Sequence, residues 1–249
     1  MAAETTSLDI PILERETTKP PLTPRELIWR RFRKHRMAMV GMVGVCILII
    51  FIVTGSILVG EDRSNVVDPQ GRLSPPSANH WMGTDSTGRD LFARIIHGGQ
   101  ISLLVGVLAV ILSVSAGTVI GGVAAYYGGW VDSILMRFTE AMLSIPSLFL
   151  LIVLGKFFGK DVQSIELFGR TFSGSVAIVI LVIGLTSWMY LARIVRANVL
   201  SLKEMDYISA SRALGASNIR IFFRHLIPNT MGAIIVASTL GLAGAILSE

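Results

Sequence analysis

The feature that most restricts this chain is a run of 27 residues, Ile101–Tyr127, without one charged side chain. Inside a bilayer no water satisfies backbone N–H and C=O groups, so such a run must close its hydrogen bonds on itself as a helix. About 20 apolar residues cross the hydrocarbon core. Four other segments approach or exceed that length: Met37–Val59 and Gly174–Ala192 are uncharged, Ser133–Leu154 holds only Arg137 and Glu140, and Met231–Leu247 is uncharged over 17 residues. Charged residues make up 16% of the 249 and hydrophobic ones 52%, against about 25% charged in a soluble domain. An all-α integral membrane protein with five spans is predicted.

The basic residues orient it. Eight precede Met37: Arg15, Lys19, Arg25, Arg30, Arg31, Arg33, Lys34 and Arg36. Six more, Arg193, Arg196, Lys203, Arg212, Arg220 and Arg224, lie between the fourth and fifth spans, and Arg137 stands near the second connection. The other side carries seven: Arg63, Arg72, Arg89, Arg94, Lys156, Lys160 and Arg170. Lys and Arg accumulate on cytoplasmic loops, which puts the N-terminus and the 193–228 segment inside, with the 60–98 and 156–173 loops outside. The net charge of +5 is thus a topological signal rather than a sign of nucleic-acid binding. The single cysteine, Cys46, sits within an apolar run and reads as a small hydrophobe. The chain stops at Glu249 within a turn of an apolar helix, without a basic flank or cap, so at least one further span is expected beyond it.

Local signals fill in the rest. Residues 1–22 have few large apolar groups and are expected to be a disordered tail, not a cleaved leader, since the first apolar run begins only at Met37. Thr23-Pro24-Arg25-Glu26 is a helix start with a capping box. Leu27, Ile28, Trp29 and Phe32 among the arginines then suggest a helix lying on the inner membrane surface, with a plain positive flank as the alternative. In the 60–98 loop, Gly83 and Gly88 bracket a turn, and Asp85 or Thr84 can cap a helix starting near Leu91. Trp81 is placed to anchor at the outer interface. His80 and Asp85 lack a third ligand at any usual spacing, so no metal is expected. The second span is rich in small residues, including Gly106, Gly117, Gly121 and Gly122, which suits close packing within the chain or against a second subunit. Arg137 and Glu140 share a helix face and can pair, as an interfacial structural pair or as a transport ion site. Pro146 should kink the third span.

Between the last two spans the pattern breaks. Asp206 can cap a short helix, Tyr207–Leu214, which Gly215 stops because glycine tolerates the left-handed conformation. Ser217 can cap a second helix, Asn218–Leu226, and Pro228 would start the next span. The first helix presents Ser209, Ala210, Ser211 and Ala213, a face small enough to enter a groove on a partner.

This stretch resembles the cytoplasmic loop of importer-type ABC permease subunits, whose pattern is Glu-Ala-Ala, three residues, Gly, nine residues, Ile-x-Leu-Pro. Here Ser209-Ala210-Ser211 stands at the Glu-Ala-Ala position, Gly215 is the glycine, Ala216–Arg224 are the nine, and His225-Leu226-Ile227-Pro228 closes the pattern. Ser209 replaces the glutamate, and His225 and Ile227 replace Ile and Leu. Arg212-Ala213-Leu214-Gly215-Ala216-Ser217, Arg224–Asn229, Met82–Asp90 and Ile101–Gly106 are similar to the second permease subunit of dipeptide/oligopeptide/nickel importers. The likeness runs from about Arg25 to Glu249.

The resemblance implies a type I ABC importer transmembrane domain of six spans. It implies a homologous second permease subunit, two cytoplasmic ATPases that drive the pair, and an extracytoplasmic binding protein that delivers substrate. Ser209, Ala210, Ser211, Ala213, Leu214, Gly215, Ala216 and Pro228 become ATPase-coupling residues. Residues 23–98 form an N-terminal region with the surface helix, first span and external loop, and 99–249 the permease domain with its coupling loop at 193–228. The resemblance identifies no pathway residues and does not separate peptide from nickel as cargo. The chain has no G-x-x-x-x-G-K-[ST], so nucleotide must be bound elsewhere. No catalytic, cofactor or metal residue is expected. A secondary transporter would want ionisable residues deep in the spans, and four of the five have none. A membrane hydrolase would want HExxH or G-x-S-x-G, and neither occurs.

Overall fold

The computed structural model describes residues 23–60, 62–158, 165–167 and 170–248. The expectation for the tail at 1–22 lies outside them.

The chain divides into two compact units after Thr54. The first holds α1 (Pro24–Lys34) and most of α2 (Arg36–Leu58). The capping box forms as expected. Thr23 Oγ1 accepts from the Glu26 N–H at 3.4 Å, and Glu26 Oε2 accepts from the Thr23 N–H at 2.9 Å. Trp29 stacks on Phe32 at 5.9 Å. His35, in an extended conformation, separates the two helices, and its Nδ1 accepts from the Ala38 N–H at 3.2 Å, closing the start of α2.

The second unit contains α3 (Asp62–Asn65), α4 (Leu91–Tyr127), α5 (Gly129–Leu143) and α6 (Ser147–Phe158). A short antiparallel hairpin follows, β1 (Ile165–Leu167) and β2 (Arg170–Phe172), with Ile165 opposite Phe172. Then come α7 (Gly174–Lys203), α8 (Asp206–Ala213), α9 (Asn218–Ile221), a π turn (Phe222–Leu226) and α10 (Ile227–Ser248). Among the described residues, α2, α4, α7 and the continuous Asn218–Ser248 helix are each long and apolar enough to cross a membrane.

The centre of this unit is the α4–α7 contact, and it exists because side chains are missing there. A Cβ on Gly121 would lie 2.1 Å from the Ala192 carbonyl oxygen, and one on Gly117 would lie 2.8 Å from the Trp188 carbonyl oxygen. In lipid, packing rather than water release drives helix association, so backbones that touch gain the most. The small-residue face is therefore used within the chain. Gly106 extends it toward α10, where a Cβ would meet Leu242 and Ile246 at 2.9 Å.

Several expected boundaries move. The third span is two helices, α5 and α6, bent by 77° across Ser144–Pro146, not one kinked helix. Pro146 lacks the N–H that would continue the ladder, and the Ser144 hydroxyl donates back to the Ala141 carbonyl at 2.6 Å. The fourth span does not end at Ala192 but runs on to Lys203, so much of the expected loop is helix. Arg137 pairs with Glu140 at 3.3 Å on the exposed side of α5.

The 60–98 loop is built on two aspartates. Asp90, not Asp85 or Thr84, caps α4, accepting from the Phe92 and Ala93 N–H groups at 2.9 and 3.2 Å. Its other oxygen meets His80 Nδ1 at 3.2 Å. Asp85 instead ties the turn between Gly83 and Gly88, which both take positive φ. It accepts from the Thr87 hydroxyl, from the Thr87 and Arg89 N–H groups and from Arg94. Trp81 is exposed and leans on Phe92, ring centres 5.0 Å apart.

Two outcomes follow. Gly121→Val must separate α4 from α7, since backbone cannot step aside as a side chain can. The cost should exceed the ~1–3 kcal/mol of ordinary overpacking, and an unchanged thermal midpoint in detergent would refute the close contact. The Thr87 hydroxyl, followed by the Arg89 N–H, holds the Asp85 carboxyl well below the usual carboxylate range. A folded value below the unfolded one, about 3.9, makes its contribution complete above that value and lost as pH falls toward the folded one. Amide protection at Thr87 and Arg89, corrected for intrinsic exchange, should stay level from pH 7 to about 5 and decline only below about 4. A decline already at pH 6 would assign the loop's order to another group.

Candidate coupling site

The segment between α7 and α10 forms a compact knob. The residue before α8 is Met205, and no side chain caps this start. Asp206 is the first helical residue rather than the expected cap, a position where the helix dipole still favours its charge. The far end closes as expected. Gly215 takes φ +80°. The Ala216 N–H donates to the Ser211 carbonyl at 3.1 Å and the Gly215 N–H to the Arg212 carbonyl at 3.0 Å, the paired bonds of a Schellman stop. A Cβ at Gly215 would meet nothing within 4 Å, so backbone conformation alone demands glycine here.

Ser217 caps α9 as expected, its Oγ accepting from the Arg220 N–H at 3.4 Å. Beyond that the expectation of a separate second helix gives way. Phe222–Leu226 is a π turn, in which the Ile227 N–H reaches back to the Phe222 carbonyl, and the helix continues unbroken into α10. Pro228 therefore lies inside a helix and does not start one. A proline has no N–H for the carbonyl four residues back, and a widened turn relieves its clash. Neighbouring side chains take up nearby carbonyls: Asn229 Nδ2 donates to His225 O at 2.6 Å and Thr230 Oγ1 to Leu226 O at 2.9 Å.

Of the eight expected coupling residues, Ser209, Ala210, Ala213, Leu214 and Gly215 are exposed together on α8 and its stop, with Leu214 89% exposed. Ser211 is half-buried, its hydroxyl bonded to the Tyr207 carbonyl at 2.8 Å. Ala216 turns inward against the core. Pro228 belongs to the following helix.

The knob is anchored from beneath. Ile208, Ile221 and Leu226 are fully buried in one cluster with Ala125 of α4, Leu191, Val195 and Val199 of α7, and Ile234 of α10. Polar contacts that sequence reasoning missed reinforce it. The Tyr126 hydroxyl donates to Asn218 Oδ1 at 2.7 Å, the Arg212 guanidinium lies 5.9 Å over the Tyr126 ring, and Phe222 meets that ring edge-on at 6.3 Å. Lys203 Nζ donates to the Ala125 carbonyl at 3.1 Å. Asp132 and Arg196 form a two-bonded ion pair, Nε to Oδ1 at 2.6 Å and a terminal nitrogen to Oδ2 at 2.5 Å. These partners are up to 92 residues apart, a separation that no helical or strand period encodes.

Deeper in the unit, α4, the α5–α6 corner, α7 and α10 enclose an open cavity of about 630 Å³. Ser113, Pro146, Thr186, Tyr190 and Ser238 line it among apolar neighbours, and among the described residues no charged side chain does. Among the described residues no three His, Cys, Asp or Glu side chains converge as metal ligands.

Removing the anchor should loosen the knob. Ile208→Ala deletes a fully buried side chain, a change that typically costs about 2–5 kcal/mol. Limited proteolysis near Leu214 should accelerate, and unchanged cleavage would mean that Ile208 does not hold α8 in place.

Known proteins resemble this chain over most of its length. Residues 117–249 match the family described as binding-protein-dependent transport system inner membrane component. Residues 23–76 match the N-terminal TM domain of oligopeptide transport permease C. The chain is 38% identical to the dipeptide transport system permease protein DppC of Bacillus subtilis, over 93% of this chain and 68% of that protein. It is 35% identical to the oligopeptide transport system permease protein OppC of the same organism, over 88% and 67%. It is also 35% identical to the glutathione transport system permease protein GsiD of Escherichia coli, over 91% and 70%. The chain belongs to the family of binding-protein-dependent transport system inner membrane components, with the type I ABC importer transmembrane fold.

Proposed function

We propose that this family member is one of two membrane-spanning permease subunits in an ATP-driven importer of small peptides. The observation that carries this reading is the form of α8: small-faced and glycine-stopped, exposed above, yet seated on a buried cluster shared with α4, α7 and α10. A part built this way transmits force. A partner that grips the exposed face moves three spans, because Ile208 and Ile221 leave the knob no freedom of its own.

Two cytoplasmic ATPases would supply that grip. Ser209, Ala210 and Ala213 allow a groove to approach the α8 backbone, and Leu214 offers an apolar tip worth roughly 1.5–3 kcal/mol once covered. Ser209 keeps a hydroxyl where the family pattern has a carboxylate. ATP-driven closure of the partners would carry α8 with it and rock the spans between outward- and inward-facing states, with hydrolysis left to those partners. A homologous permease would complete the pathway, and an extracytoplasmic binding protein would deliver cargo. The basic residues of the 193–228 segment and of the N-terminus favour a cytoplasmic side for both. In this arrangement residues 99–249 carry pathway and coupling, and 23–98 the surface helix, first span and external loop.

The cavity at the α5–α6 corner is proposed as this chain's side of the path. Among the described residues, hydroxyls and apolar groups line it without charge, so it would hydrogen-bond a peptide backbone without sorting side-chain charge and leave selection to the binding protein. Relatives named for dipeptides, oligopeptides and glutathione favour peptide over a nickel chelate as cargo.

A cysteine at Ala213, with Cys46→Ser to remove the native thiol, should cross-link to a co-expressed cognate ATPase. Labelling of that cysteine from outside intact cells would reverse the topology. Gly215→Val places a β-branched residue at φ +80°, a genuine outlier for such a side chain. Substrate-stimulated ATPase activity should disappear while the subunit still inserts, and normal stimulation would refute the coupling role.

A further inference from the structure

We infer that Asp132 and Arg196 are a positioning pair that clasps α5 to α7, so that movement of α8 reaches the α5–α6 corner and the cavity it lines. The inference rests on the coupling role proposed above and deepens it.

Its ground is where the pair sits. α4 and α5 meet at Gly128-Gly129, both at positive φ, an elbow of two glycines with no side chain to brace it. Farther along, α5 is held to α7 by apolar packing. Phe138 stacks on Trp188 at 6.2 Å, and Met142 and Leu143 pack against Trp188, Met189 and Ala192. Near the elbow the polar tie between the two helices is Asp132–Arg196, in the first turn of α5. Seven residues along α7, Lys203 bonds the Ala125 carbonyl on the other side of the same elbow. One stretch of α7 thus grips both arms of the hinge, just before the chain turns into α8.

The geometry is that of a fixed link. Both carboxylate oxygens are engaged by the guanidinium fork, and the side chains are only 17% and 34% exposed. Two-bonded Arg–carboxylate pairs set orientation as well as distance. The same helix carries a contrast. Arg137–Glu140 is single, 85% and 50% exposed, and internal to α5, so it joins no two elements. The clasp makes α5 follow α7. Without it the first turns of α5 can pivot on the two glycines, and α5 follows α7 only through the apolar packing of Phe138, Met142 and Leu143.

The test uses the complete transporter, with its partner permease, ATPases and binding protein, in proteoliposomes. Asp132→Asn and Arg196→Gln should assemble and hydrolyse ATP at the basal rate, and lose stimulation by loaded binding protein about fivefold or more, within the usual range of coupling effects. The exchange Asp132→Arg with Arg196→Asp should restore it, and Arg137→Gln should leave it unchanged. Should a lone unpaired charge prevent assembly, the double variant Asp132→Asn/Arg196→Gln leaves no charge uncompensated and is expected to assemble uncoupled. Full stimulation in the neutral variants, or an exchange that assembles without recovery, overturns the clasp. The Ala213 cross-link, measured in the same variants, separates the two ideas. A retained cross-link with full stimulation refutes only the clasp, whereas no cross-link in the otherwise unaltered subunit refutes the docking reading beneath it.

Discussion

Everything in the larger unit depends on two helix backbones touching. Where Gly117 and Gly121 face α7, the Trp188 and Ala192 carbonyls come so close that even a methyl group would not fit. Lipid offers no hydrophobic reward for bringing helices together, so surface fit has to do that work. Once α4 and α7 are joined, their adjoining ends become a platform. Ala125, Val195 and Val199 supply its floor, and Ile208 and Ile221 plug into it. The knob is rigid because the helices under it are.

What could be read directly from the residues was what local chemistry decides. The Thr23–Glu26 capping box, the Ser217 cap and the Gly215 stop each depend on neighbours within five residues, and each appears as expected. Long uncharged runs marked the membrane helices for the same reason. The failures were also local in kind. Asp85 and Asp90 are five apart in one turn-rich loop, and composition alone does not say which closes the helix and which closes the turn. Pro146 and Pro228 carry the same covalent constraint, yet one marks a sharp corner and the other is absorbed by a π turn. The difference lies in what surrounds each break, Leu226 being held in the core while no side chain of α6 is fully buried.

The polar ties around α8 and its neighbours were illegible for a different reason. Tyr126–Asn218, Lys203–Ala125 and Asp132–Arg196 join residues 64 to 92 apart. Only the fold brings them together. In the sequence Arg196 was one of six basic residues whose shared meaning was orientation in the membrane. The structure gives it an individual task, and the same holds for Lys203 and Arg212.

The π turn bears on how length itself is specified. Ile221 and Leu226 are five positions apart, and in a regular helix, at 100° per residue, they would diverge by about 140°. Both nevertheless lie in the same buried cluster, because the wider turn absorbs one extra residue. The count between Gly215 and Pro228 is therefore a phase setting as much as a spacer. Add or remove a single residue there and the composition hardly changes, yet α10 would present a different side to its neighbours.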